Sequence, residues 1–342
     1  MTLAVITPSY RNDWPLFVDL HQSVLRHTPE SVKHYVIVPN ADVQLFSQAA
    51  GPRCIIIAEE TLYPRHYRPA PAANRILHLL PRIPLSARVA ALNIKRPFHP
   101  VRGWVMQQAL KMEACRRIAA DITLMLDSDV VLIRPVTQAT LSNEGRPRLY
   151  RLPGAVGVHL PQHMQWHVVS RKLLGLPPPD FPAPDYVSSF TVWDPYILRA
   201  LLARIELVTS EHWMDAVTAQ RNFSEWTIYG VFADELMKDR IGSAAESSLC
   251  HSYWGVIPLN AASAEEFVAG TGQNDVAILI QSKSRTPIAV RRAALSSFRG
   301  ETYHALASEP GWGGEPDSGA GTAELHPGDR SVGMARRPGN PD

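Results

Sequence analysis

At 342 residues, with 45% hydrophobic and 19% charged side chains, the chain has the size and balance of one large globular domain or two smaller ones. Thirty-four Lys and Arg against thirty-two Asp and Glu exclude a chain-wide basic field for nucleic acid or an anionic membrane. Three scattered cysteines, Cys54, Cys115 and Cys250, form no C-x-x-C pair, which excludes a disulfide framework or cysteine zinc site and fits a reducing compartment.

MTLAVITPSY opens without a basic region or long apolar core, and no run is long enough to span a bilayer, so the expected location is cytoplasmic. Peripheral membrane contact stays open. Residues 3–7 read as a first strand, closed by Pro8-Ser9-Tyr10. Asn12 and Asp13 offer N-cap chemistry for an amphipathic helix over 14–27, with Pro15 in its first turn. Strands over 34–39 and 54–59 flank a short helix through Leu45 and Phe46. This is the alternation of an α/β fold with a mostly parallel sheet and helices on both faces. Ligands of such sheets sit beyond the carboxyl ends of the strands. Ser9, Tyr10, Arg11, Asp13 and Asn40 fall on that edge.

Residues 61–103 are rich in Pro and Arg and read as an irregular insert with one or two short helices. The next helix, about 104–120, puts Gln107, Gln108 and Lys111 on one side, away from Met106, Ala109 and Leu110. It leads into ITLMLDSDVVLI (122–133), an apolar strand ending in Asp127-Ser128-Asp129. Carboxylates two residues apart leave the pleat on one side, and a hard divalent cation is the usual answer to their repulsion. A turn cap plus a solvated aspartate would also account for a bare D-x-D; the strand ahead of it points to the ion.

Further on, RLYRL (148–152) reads as a strand. His159, His163 and His167 are spaced four apart, but Pro161 breaks their register and no carboxylate lies among them, so they read as surface rather than a metal site. Helices follow over YILRALLARIE, near 211–220, and through NFSEWTIYGVFADELM (222–237), with Glu225 at the entrance of the last. His251 lies in the apolar and aromatic LCHSYWGVIP (249–258), the surround of a core histidine. Helix and strand signals alternate over 262–308, and the tail from about 309 has too little apolar content to pack. The expected organisation is one domain over 1–308, with a nucleotide-binding half (1–133) and an acceptor-side half.

This order of parts resembles glycosyltransferases of the GT-A fold, and more narrowly a bacterial family of them known mainly from sequence. The residues that carry it are ITPSYRND (6–13), GWVMQQALKMEA (103–114), LMLDSDVVL (124–132), FSEWTIYG (223–230) and CHSYWG (250–255). The resemblance implies a Rossmann-like nucleotide-diphospho-sugar transferase acting with Mn²⁺ or Mg²⁺. Its donor would be a UDP-sugar and its acceptor a glycan, lipid or small molecule. Thr7, Ser9, Tyr10 and Arg11 would line the nucleotide site, with Gln108, Lys111 and Ser128 completing it. Asp127 would sit near ribose and metal, Asp129 would ligate the ion, and His251 would be a third ligand. Glu225 would take the acceptor's proton, with Trp193, Trp226, Tyr229 and Trp254 on the acceptor side. CHSYWG lacks the lysine that some such families place after the histidine, which leaves the phosphates to Lys111 or Arg102. Two other classes fit parts of the pattern. LMLDSDVVLI also matches the haloacid-dehalogenase phosphatases, although no later acidic pair accompanies it. The aromatic residues would equally serve a silent sugar-nucleotide or glycan-binding protein.

Overall fold

The computed structural model describes residues 2–70, 89–143, 145–242 and 244–299. Leu3–Pro8 forms β1, and its alternation sets the layers. Val5 joins a core cluster with Leu20 and Val24 of α1 (Trp14–His27). Ala4 and Ile6 instead join Val105, Met106 and Ala109. Neighbouring strand residues leave opposite faces, so one apolar run demands a helix on each side.

The chain continues through β2 (Lys33–Val38) and β3 (Cys54–Ala58). In its described residues the insert forms the antiparallel strands β4 (Tyr67–Pro69), β5 (Val89–Asn93) and β6 (Val101–Arg102). Asp215 anchors it, accepting hydrogen bonds from Tyr67 Oη at 2.8 Å and Asn93 Nδ2 at 2.9 Å, and meeting His66 Nε2 at 2.7 Å. Residues 71–88 and the expected disordered tail lie outside the described residues.

Next come α2 (Gly103–Arg117), β7 (Ile122–Leu126) and β8 (Val130–Leu132). The strand expected over 148–152 begins instead at Leu152 and runs to Val156, with Tyr150 making only an isolated bridge to Ala245. Pro161 begins α3 (Pro161–Leu174) at a position where its missing N–H costs nothing. His163 and His167 lie on that helix, the first against Asp185 and the second against the Pro184 carbonyl. Then follow β9 (Phe190–Trp193), α4 (Pro195–Thr209), α5 (Trp213–Thr218) and α6 (Glu225–Leu236), the last capped by the Ser224 hydroxyl. β10 (Cys250–Tyr253) and β11 (Ala277–Ile280) follow.

The central sheet has the order β9-β7-β1-β2-β3, parallel throughout except for β9 at its edge. A second sheet has the order β10-β11-β8. Since β7 belongs to one sheet and β8 to the other, Asp127-Ser128-Asp129 is the joint between them.

Candidate functional site

The joint lies at the carboxyl edge of the parallel sheet, beside the exit of β1. Ser128 Oγ donates to Ser9 Oγ at 2.8 Å and approaches the Pro8 carbonyl at 3.3 Å, tying the two exits together. Arg11 lies on the same edge, its backbone N–H and Nε both bound to the Asp42 carboxylate. Tyr10 is exposed beside it.

Asp127 is held by a cation supplied from α2. Lys111 Nζ is 2.9 Å from Asp127 Oδ1 and 3.0 Å from Glu225 Oε1, and it lies 4.9 Å from the centre of the half-buried Trp226 ring. Burial alone would push the ammonium down, but the two carboxylates more than offset it and hold it above the usual lysine value. Burial raises the Glu225 carboxyl, against the pull of Lys111 and with the help of Asp127. Gln108 joins the cluster by accepting the Glu225 backbone N–H at 2.9 Å. Gln107, expected on the same face, is exposed; 100° farther round the helix, Gln108 is buried.

Asp129 is held differently. Its Oδ2 accepts the Ser282 N–H at 2.7 Å, and its own carbonyl accepts from Arg291 Nη2 at 2.9 Å. Its Oδ1 is buried without a hydrogen-bond partner. Burial, and after it the Asp127 charge, push the Asp129 carboxyl up to about 6. Asp13 makes no side-chain cap bond to α1 and faces this pair. Burial, then Asp129 and Asp127, push it up to about 7. The sequence places Asp13 on this edge and also offers it as a helix cap; the cap bond is absent, and the nearness of its carboxylate to Asp127 and Asp129 is what the sequence does not show. Ser282 and Arg291 were missed, since only the pairing of β8 with β11 brings them close.

Several expected members are elsewhere. Thr7 points under α1, where its hydroxyl meets His34 Nε2 at 2.9 Å and it is fully buried, so it lines no nucleotide site. His251 Nε2 meets the Phe267 carbonyl at 2.8 Å, with the rings stacked at 4.2 Å; that nitrogen is spent and the residue stands apart from the aspartates. Among the described residues no group of three or more His, Cys, Asp or Glu could hold a metal ion. Trp193 and Tyr229 are core residues stacked at 5.3 Å, the tyrosine hydroxyl accepting the Asp194 N–H. Neither offers a face to a sugar. Glu225 is fully buried, which removes it from direct contact with an acceptor hydroxyl. Trp254 remains exposed on the loop after β10. A cavity of about 400 Å³ lined by Asp121, Arg146, Asp194, Arg199 and Arg240 opens at the opposite end of β7 and contains none of the expected residues.

A family model described as "Family of unknown function (DUF6492)" matches residues 4–303. No curated protein matches the sequence. Among solved structures, the chain is similar to galactosyltransferase LgtC in complex with donor and acceptor sugar analogs, at 10% identity, covering 86% of this chain and 96% of that one, with a TM-score of 0.41. It is similar to mouse xyloside xylosyltransferase 1 at 10% identity, covering 84% and 100%, with a TM-score of 0.42. A third similarity is to the bifunctional glycosyltransferase WbbM, at 12% identity and a TM-score of 0.42, covering 81% of this chain and 45% of that one.

Proposed function

The chain belongs to the DUF6492 family, and we propose that this member transfers a sugar from a nucleotide-diphosphate donor, a UDP-sugar, to an acceptor hydroxyl with the help of Mn²⁺ or Mg²⁺. The observation that carries this reading is the Asp127/Asp129 pair at the carboxyl edge of a parallel sheet, with Asp129 Oδ1 buried and unpaired. Asp127 and Asp129 would hold the ion, with Asp13 beside them. Two carboxylates suit a hard cation that takes its other ligands from phosphate and water. When bound, the ion supplies Lewis-acid stabilisation of the negative charge on the leaving diphosphate.

The protein's own groups divide the remaining work. Transfer breaks the bond between the anomeric carbon and the phosphate oxygen, whose electron pair leaves on the diphosphate, while the acceptor oxygen bonds to that carbon and gives up its proton to the departing phosphate or to water. Lys111 holds Asp127 in place and adds a fixed positive charge behind it, the kind of preorganised charge that favours such a departure. Glu225 is a positioning residue in this scheme, fixing the Lys111 ammonium from the far side. Ser9 and Ser128 keep the exits of β1 and β7 together.

Burial of Glu225 favours a second reading, a sugar-nucleotide-binding protein without turnover, because the acid expected to take the acceptor proton is closed off. One panel experiment tests both. Thermal shift with UDP-, GDP- and CMP-sugars, with and without Mn²⁺, detects donor binding because a ligand of the native state raises its stability. Donor turnover in the same samples separates enzyme from binder. Absence of any shift with every donor overturns both readings, and a shift indifferent to Mn²⁺ overturns the metal-assisted transfer.

A further inference from the structure

The loop after β10 exposes Trp254, Val256 and Ile257, the last two at 60% and 73%. Isolated exposed apolar residues are ordinary, but a contiguous apolar tip marks an interaction site. This tip is firmly built. Tyr253 Oη donates to the Ile257 carbonyl at 2.8 Å, and Gln281 Nε2 donates to the carbonyls of Trp254 and Gly255. A side chain at position 255 would collide with the Tyr253 ring, its Cβ 2.4 Å from Cζ. Three carbonyls that would otherwise need water are therefore satisfied within the protein, a requirement for backbone that enters an apolar medium.

The turn beside the tip carries charge. Gln281 N–H donates to the Tyr253 carbonyl at 3.1 Å, and Leu259 N–H donates to Thr286 Oγ1 at 3.0 Å. Residues 281–286 are thus laced to the loop at both ends, and the side chains of Lys283 and Arg285 between these ties are exposed. Apolar side chains flanked by cations are the pattern of a segment that dips into the headgroup region of an anionic membrane. The even charge balance of the whole chain does not bear on two cations placed locally.

We propose that Trp254, Val256 and Ile257, flanked by Lys283 and Arg285, dock the protein onto an anionic lipid bilayer. The docking surface stands independently of the proposed reaction. If that reaction is also right, the bilayer lies beside the site, because Ser282 of the same turn donates to Asp129, and the acceptor is then an amphiphile presented at the membrane surface.

The test is co-sedimentation of the full chain with phosphatidylcholine vesicles and with vesicles containing one-third phosphatidylglycerol. The expected result is pelleting with the anionic vesicles, weakened by salt, and partitioning reduced about tenfold by Val256→Ser/Ile257→Ser and by Lys283→Glu/Arg285→Glu. Unchanged melting temperatures would show that both variants fold. Equal partitioning onto both vesicle types, no pelleting of the unmodified chain, or pelleting indifferent to both variants overturns the proposal. So does a self-association of the protein, seen by sedimentation equilibrium without vesicles and abolished by Val256→Ser/Ile257→Ser.

Discussion

Lys111 Nζ sits 3.0 Å from Glu225 Oε1 and 2.9 Å from Asp127 Oδ1, joining a helix before the D-x-D strand to one 114 residues further along the chain. The Lys111 and Glu225 side chains are both buried. Removing one member of a buried pair leaves the other uncompensated, at a cost of about 3–5 kcal/mol. Lys111→Met should therefore destabilise the fold by roughly that amount. Glu225→Gln should cost less, because a neutral amide can still accept from the ammonium while Asp127 keeps it paired. Urea unfolding measures both. A Lys111→Met variant as stable as the unmodified chain would show that the pair does not hold α2 to α6.

The carboxylates give a pH signature. The folded values of Asp13 and Asp129 are pushed up, to about 7 and about 6, by burial and by neighbouring aspartates. Between the ordinary carboxyl value and these values the folded state binds more protons than the unfolded one, so these groups lower stability as pH rises. A divalent ion should reverse that loss. Mn²⁺ should therefore raise the melting temperature more at pH 7.5 than at pH 5.5, and Asp129→Ala should remove the difference together with Mn²⁺-dependent donor binding. Equal shifts at the two pH values would argue against a cation among these side chains.

Two histidines should act with the opposite sign. His21 Nδ1 and His34 Nδ1 meet at 3.0 Å beneath α1, so one of the two carries a proton and the other accepts it. Burial, then Arg53, lowers His21 to about 4. Burial, then His21 and Arg53, holds His34 well below its ordinary value. Both stay neutral in the fold while the unfolded chain protonates them, so the stability they support is present above about pH 6.5 and is lost as pH falls towards 4. His21→Gln/His34→Gln keeps hydrogen-bonding groups without the titration. It should flatten the acid side of the stability profile by up to roughly 1.4 kcal/mol per pH unit for each histidine. An unchanged slope in urea titrations at stepped pH would exclude these histidines as the cause.

The strands β1, β2, β3 and β7 were legible as short apolar runs closed by polar breaks, and the helix α1 by its 3.6-residue period. The D-x-D was legible for the same reason, since it ends such a run. What the sequence left hidden depends on tertiary pairing. Thr7 and Trp193 sit on strands buried along nearly their whole length, so no alternation in the sequence says what covers each side chain. The insert's strands pair across long intervals and are fastened at Asp215, a residue on a distant helix. Asp13 was placed on the ligand edge by its position after β1, but only the pairing of β7 with β1 brings it near the two aspartates.

Gly230 tests whether α6 must approach its neighbour as closely as it does. An added Cβ there would lie 2.2 Å from Tyr186 Cγ and 2.6 Å from its Cβ. The ring cannot simply swing aside, because Tyr186 is buried and its hydroxyl donates to Asp234 Oδ2 at 2.8 Å. Alanine would gain about 1 kcal/mol in helix propensity over glycine. Overpacking costs about 1–3 kcal/mol and sometimes more, and a contact this short with the base of a ring belongs at the upper end. Gly230→Ala should thus be destabilising by about 1–2 kcal/mol net. Moving α6 outward would also draw Glu225 away from Lys111, so the variant should lose donor affinity as well as melting temperature. Thermal melting and a donor titration on one preparation check both. Gained stability would mean that Tyr186 yields and the helix stays, and unchanged affinity at lower stability would separate the packing of α6 from the fixing of Lys111.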